Sequence, residues 1–193
     1  MLAGAIWSIA ADASGADSQI RPFVGFTFAG DTSFSPNLAE PAGNVHGTIG
    51  AGAAWLGNVV GIEGEVAHTS GIFESDSNSS LIIGSSVTTV VGDVIVAFPG
   101  RMAEYTLRPY ALGGAGIMRA RSEDSFGALG FSETLPALDF GAGVIGFVTK
   151  KVGVAWEIRR FQSVGSRDTL QGISLGPERL SFWRLTMAIA IRY

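Results

Sequence analysis

Nine ionisable residues, Glu63, Glu65, Asp93, Arg108, Asp139, Glu157, Arg159, Arg184 and Arg192, sit inside segments that otherwise alternate apolar with small or polar side chains. Five acids against four arginines is close to balance. A desolvated cluster needs that balance, because a charge withdrawn from water must be paired. The chemistry implied is an ion-paired network; the same charges would gate a narrow ion path only if pairs worth several kcal/mol were broken. A second constellation is His68-Thr69-Ser70, which puts a histidine and a serine on one face of a strand, the types needed for a general base and a nucleophile. A triad also needs an acid, and the nearest, Glu74, lies in a Ser- and Asp-rich stretch. His46 has no further His or Cys at a metal-ligand spacing, and the chain holds no cysteine, so no metal site is expected. No phosphate-binding, EF-hand or nucleophile-elbow pattern occurs. No catalytic residue and no cofactor is assigned.

Such residues need a frame that turns charge inward. The last fourteen residues, Leu180 to Tyr193, place Trp183, Leu185, Met187, Ile189, Ile191 and Tyr193 on one face and Phe182, Arg184, Thr186, Ala188, Ala190 and Arg192 on the other. Successive strand side chains point to opposite sides, so this is a strand apolar outside and polar within, the inverse of a water-soluble barrel. A soluble lipocalin-type barrel would bury its large apolar side chains and expose its charges.

Eight such segments, near residues 21–29, 45–56, 59–69, 86–98, 106–119, 137–149, 152–163 and 180–193, alternate with turn-rich stretches. The connections Asp31 to Asn44, Ser70 to Ser85, Ala120 to Pro136 and Val164 to Arg179 are long, whereas Gly57-Asn58, Pro99 to Tyr105 and Lys150-Lys151 are short. The predicted fold is therefore all-β: an eight-stranded antiparallel up-and-down transmembrane β-barrel with short periplasmic turns and long extracellular loops. Outward positions are Val60, Ile62 and Val66 in the third strand, Leu138, Phe140, Val144 and Val148 in the sixth, and Val152, Val154, Trp156 and Ile158 in the seventh. Gly141, Gly143 and Thr149 are expected to face inward, as is His46; Asp93 and Arg108 set the facing of the fourth and fifth strands. Trp55, Phe98 and Tyr193 toward the periplasm and Phe28, Phe161 and Trp183 toward the outside fit interfacial girdles, while Trp156 falls mid-strand. Outward Arg119 and Arg160 near the outer strand ends suit anionic head groups or simple snorkelling.

Composition agrees. The chain of 193 residues is 47% hydrophobic yet has no apolar run of about twenty residues for a spanning helix. A net charge of −4 offers no field for nucleic acid. Twenty-seven glycines, many inside alternating segments, imply tight curvature or close packing. Residues 1–16 read as a truncated signal peptide or disordered segment, with Ala11-Asp12-Ala13 as a cleavage pattern, ahead of a barrel domain over 17–193.

The run Arg108-Pro-Tyr-Ala-Leu-Gly-Gly-Ala-Gly-Ile117, the strand Val154-Ala-Trp-Glu-Ile-Arg159 and the terminal alternation to Tyr193 resemble the eight-stranded outer-membrane β-barrel family similar to the transmembrane domain of OmpA. The resemblance covers roughly residues 20 to 193. It implies a bacterial outer-membrane location and a terminal signal, carried by Ile189, Ile191 and Tyr193, for the outer-membrane assembly machinery with its periplasmic chaperones. Expected partners are outer-membrane lipid and lipopolysaccharide, with no nucleic acid, an extracellular ligand reached only through the loops, and a monomeric state. Members of the family serve as anchors, adhesins and evasion factors. The expectation is a non-enzymatic structural or surface-recognition barrel with a plugged lumen; a narrow ion or small-solute channel is the alternative, and a lipid-modifying outer-membrane enzyme ranks behind it. The His-x-Ser pair also resembles that of outer-membrane lipid A deacylases, without the rest of their motif.

Overall fold

In a computed structural model, the described residues are 17–32, 45–71, 82–99, 107–124, 131–164, 169–170, 173–174 and 180–193. They form β1 (Asp17–Thr32), β2 (His46–Leu56), β3 (Val60–Ser70), β4 (Ile82–Ala97), β5 (Arg108–Asp124), β6 (Phe131–Phe147), β7 (Val152–Ser163), the two-residue strands β8 (Thr169–Leu170) and β9 (Ile173–Ser174), and β10 (Leu180–Arg192). The eight long strands close into one antiparallel barrel in the order β1-β10-β7-β6-β5-β4-β3-β2, with β8 and β9 pairing only with each other.

The pairing register fixes the barrel's dimensions. Starting at Thr134 on β6, partners run through Arg119, Thr88, His68, Ile49, Val24, Met187 and Trp156 and return to β6 at Val144, ten residues along. With about 3.3 Å per residue and about 4.8 Å between strands, that offset over eight strands gives a tilt of about 41° and a backbone radius of about 8 Å. Such a lumen is just wide enough for side chains to fill it.

Alternation decides what fills it. Glu63, Glu65, Asp93, Asp139, Glu157, Arg159 and Arg184 are all buried, whereas Val60, Ile62, Val66, Leu138, Phe140, Trp156 and Leu185 are exposed. The facings expected for β3, β4, β5, β6, β7 and β10 therefore hold. Exposed apolar side chains run up the outer wall from Phe98, just past β4, to Ile117, paired with Val90. At the tilt above, that band is about 23 Å tall, close to the apolar belt of about 25 Å on spanning barrels. Several glycines make room inside. A Cβ at Gly52 would lie 2.8 Å from Glu63 Oε1, one at Gly141 2.9 Å from Arg159 Cγ, and one at Gly114 would collide with Asp93 Oδ1.

Several expectations need correction. Ala120–Asp124 and Phe131–Pro136 belong to β5 and β6, so the third long connection shrinks to residues 125–130. Beyond the apolar band neither sheet face needs large apolar residues, so hydrogen-bonded pairing continues where alternation fades. The same effect extends β1 to Thr32 and starts β4 at Ile82; at its other end β1 begins at Asp17. Thr149 lies in the β6–β7 turn, where its hydroxyl accepts hydrogen bonds from the amides of Lys151 and Val152, and it does not face the lumen. Phe161 is not a girdle aromatic: it is fully buried, stacked on Phe182 with centroids 5.1 Å apart. Residues 1–16, including the cleavage pattern, lie outside the described residues, as does Glu74.

Candidate functional site: a charged layer across the lumen

Two apolar clusters occupy the lumen. One, toward the short turns, contains Phe23, Leu56, Ile95, Leu112 and Ile145; the other, toward the loops, contains Val91, Met118, Phe161, Leu180 and Phe182. Between them lies the charged layer.

Arg159 is its centre. Its guanidinium lies 2.6 Å from Asp93, 3.2 Å from Glu63, and 3.3 Å from both Glu65 and Asp139, and it also pairs with Glu157 on its own strand. Arg184 pairs with Glu65 and donates to Thr89 at 3.2 Å, with its guanidinium carbon 4.4 Å from the Phe161 ring centroid. Position 161 shares the inward parity of Glu157 and Arg159, and this cation–π contact stabilises an aromatic there. Tyr110 donates to Glu157 at 2.8 Å. Near the loop end of the lumen, Thr48 hydrogen-bonds both Thr27 and Thr69 at 2.8 Å.

Seven of the nine expected lumen residues are thus brought together, and two are not. Arg108 begins β5 at the turn end, where it donates to the carbonyls of Phe98, Gly57 and Asn58 at 2.7, 2.9 and 3.1 Å. It ties two short turns together. Arg192 pairs with half-exposed Asp17 at 2.6 Å at the barrel mouth and lies over the Phe147 ring. Sequence reasoning missed Arg21, which pairs with Glu63 at 3.0 Å and donates to the side-chain oxygen of Gln19 at the same distance. The signal was present: Gln19, Arg21 and Phe23 alternate with Ile20, Pro22 and Val24.

The corrected layer holds five carboxylates and three guanidiniums, so its formal charge is −2 where the expected set carried −1. Arg159 reaches Glu63, Glu65 and Asp93 across the lumen, whereas Asp139 stands on the strand beside its own. Glu63, Glu65, Asp93 and Asp139 stand on β3, β4 and β6, while Arg21, Arg159 and Arg184 stand on β1, β7 and β10. A void beside Arg21, Glu63, Tyr110 and Glu157 measures about 10 Å³, room for roughly one water.

The other candidates do not assemble. His68 Nδ1 lies 3.0 Å from Thr88 Oγ1 on the outer wall, its partner there being a hydroxyl and not an acid. His46 begins β2 on the inward side, and no group of three potential metal ligands occurs among the described residues. Arg119 and Arg160 face outward as expected; Arg119 donates to Ser132 at 3.2 Å, and Arg160 lies 5.4 Å from the Trp183 ring. Ile189, Ile191 and Tyr193 are exposed on the outer wall of β10 and just beyond it.

Charge inside and an apolar belt outside make this a membrane-spanning barrel, and solved structures carry the same architecture. Neisserial surface protein A (NspA) aligns over 91% of this chain and 97% of its own with a TM-score of 0.64 at 13% identity. The chain has the fold of the eight-stranded outer-membrane β-barrels. Ail, the attachment invasion locus protein of Yersinia pestis, aligns over 91% of this chain and 99% of its own at a TM-score of 0.52 and 17% identity. A major outer membrane protein of Thermus thermophilus does so at 0.50 and 11%, again over 91% and 99%. No protein-family model and no curated protein matches the chain.

Proposed function

We propose that this chain is a non-enzymatic bacterial outer-membrane barrel, a closed anchor that holds its extracellular loops at the cell surface for structural or recognition work. The observation that carries the reading is the layer centred on Arg159, whose ion pairs cross the lumen between two apolar clusters. Opening a water path would separate desolvated partners, each separation costing several kcal/mol. An acyl-transfer role lacks support, because the hydrogen bond of His68 goes to Thr88, and a base needs an orienting acid on its far nitrogen.

The recognition half of the reading rests on architecture. Ail has been solved with the heparin analogue sucrose octasulfate, so a barrel of this shape can present a surface to a sulfated sugar. Here the ligand of the loops is left open by their sequence. During biogenesis the β10 face ending in Ile189, Ile191 and Tyr193 would be read by the assembly machinery, with periplasmic chaperones holding the precursor. The mature protein would be a monomer bathed in lipid and lipopolysaccharide.

The purified protein in planar bilayers tests the closed lumen. No steady unitary conductance is expected at neutral pH. Stable, ion-selective openings of the unmutated protein would replace the anchor with a narrow channel, and with a layer of formal charge −2 that channel would select cations.

A further inference from the structure

On the outer wall a groove of about 540 Å³ crosses five strands from β7 to β3, within the size range of small-ligand sites. Its course follows the pairing register. One edge is the row Trp156, Met187, Val24, Ile49, and the other passes Phe26 and then Gly47, where the absence of a side chain leaves a gap. A Cβ built on Gly47 meets nothing within 4 Å. At its upper end the groove stops being apolar, at His68 and Ser70 on β3.

Depth identifies what fits. Four strand steps at a tilt of about 41° climb about 12 Å, half of an apolar belt about 25 Å tall. Trp156 stands near mid-height of the exposed band, and His68 and Ser70 stand at its loop-side edge. The groove is therefore as deep as one leaflet, with apolar walls below and polar groups where a head group begins. Past its mouth the same register row continues as Thr88 and Arg119, so the backbone of Arg119 lies two strands, about 10 Å, from that of His68. Arg119 is exposed and its side chain reaches Ser132.

We infer that this groove holds one acyl chain of a lipopolysaccharide molecule in the outer leaflet, its chain lying obliquely from Trp156 to Gly47 and its phosphorylated sugar at His68, Ser70 and Arg119. The commitment to lipopolysaccharide rests on the outer-membrane placement proposed above, on the opening toward the loop-side leaflet, and on the match of Arg119 to phosphate. It also gives mid-strand Trp156 a role that an interfacial aromatic would not have.

The test is native mass spectrometry of protein extracted from outer membranes in mild detergent, comparing the unmutated chain with Gly47→Leu and Arg119→Glu. One lipid A-bearing molecule is expected to stay bound to the unmutated protein, with at least tenfold less on Gly47→Leu, which fills the gap without a clash, and a smaller loss on Arg119→Glu. Equal retention by Gly47→Leu would overturn the site. Retention of a phospholipid instead would overturn the source, and a cross-link between two copies carrying Gly47→Cys would make the groove a dimer face. A heat-modifiable band of Gly47→Leu in outer-membrane fractions shows that the placement holds, so failure of the groove and failure of the outer-membrane reading are told apart.

Discussion

Replacing Arg159 by methionine keeps much of the side-chain length and removes the charge. In the parent, one guanidinium pairs with Glu63, Glu65, Asp93, Asp139 and Glu157 together, at distances of 2.6 to 3.3 Å for the first four. After substitution five carboxylates face only Arg21 and Arg184. Breaking a single buried pair by removing one partner costs about 3–5 kcal/mol, and here several acids lose the partner at once, so that range is a floor. A folded domain has a total stability of about 5–15 kcal/mol. Arg159→Met should therefore lose much of the barrel's margin, read as a fall in the urea midpoint of refolded protein in lipid vesicles, followed by tryptophan fluorescence and by the heat-modifiable gel shift. Arg159→Lys should fall between the two, since an ammonium is a point charge and cannot span five acids. A urea midpoint for Arg159→Met equal to the parent's at neutral pH would refute the argument, because it would mean the layer is solvated and Arg159 is not its keystone.

Leu185→Arg, on the outer wall within the apolar band, should cost about 2–4 kcal/mol, whereas Val45→Arg, 64% exposed at the loop end of β2, should cost about 0–1 kcal/mol; equal refolding yields in vesicles would contradict the assigned depths. Arg108→Ala should lower stability by about 1 kcal/mol by freeing three turn carbonyls, and Arg192→Ala by less, because its pair with Asp17 is partly exposed; urea titration of both orders the two. Glu157→Ala removes a partner of both Arg159 and Tyr110, and any conductance it opens in planar bilayers should be cation-selective; anion selectivity would contradict the corrected charge count. Tyr193→Asp should slow appearance of the heat-modifiable band in outer-membrane fractions while precursor accumulates in the periplasm, and an unchanged rate would remove Tyr193 from the assembly signal.

Face was legible in the sequence and depth was not. A period of two assigns each side chain to one face or the other, and Glu63, Asp93, Asp139, Glu157, Arg159 and Arg184 share the buried face. It says nothing about height. Arg108 and Arg192 have lumen parity, but each stands at the end of its strand, where backbone carbonyls or a partly exposed Asp17 are the nearer partners. Arg21 was passed over because Phe23 and Phe26 put large apolar groups on both faces of β1 and blurred its parity. Phe161 has the inward parity of Arg159 and meets Arg184 diagonally across the β7–β10 seam, a contact between positions twenty-three apart in sequence.

What height depends on is register, and register also explains why the layer must cross the lumen. Glu63 is paired with Asp93, Asp93 with Gly114, and Gly114 with Asp139, so three acids lie in one row along the β3–β6 wall. Like charges directly opposite each other on one sheet face are destabilising, and neighbouring strands supply no cation at this row: the position between Asp93 and Asp139 is a glycine. For Glu63 and Asp93 relief comes from Arg159, across the lumen. With eight strands β7 lies four steps from β3, diametrically across a lumen of about 8 Å radius, and an arginine can reach across where a shorter cation could not. Gly114 and Gly141 leave the space this requires, at Asp93 and at the Arg159 stem respectively. The acid row, the glycines and the reaching arginines are thus one solution, and shifting any strand of the β3–β6 wall by two residues would keep every side chain on its face while pulling the row apart. That is why alternation alone, which such a shift leaves untouched, predicted the barrel's faces and miscounted its charged layer.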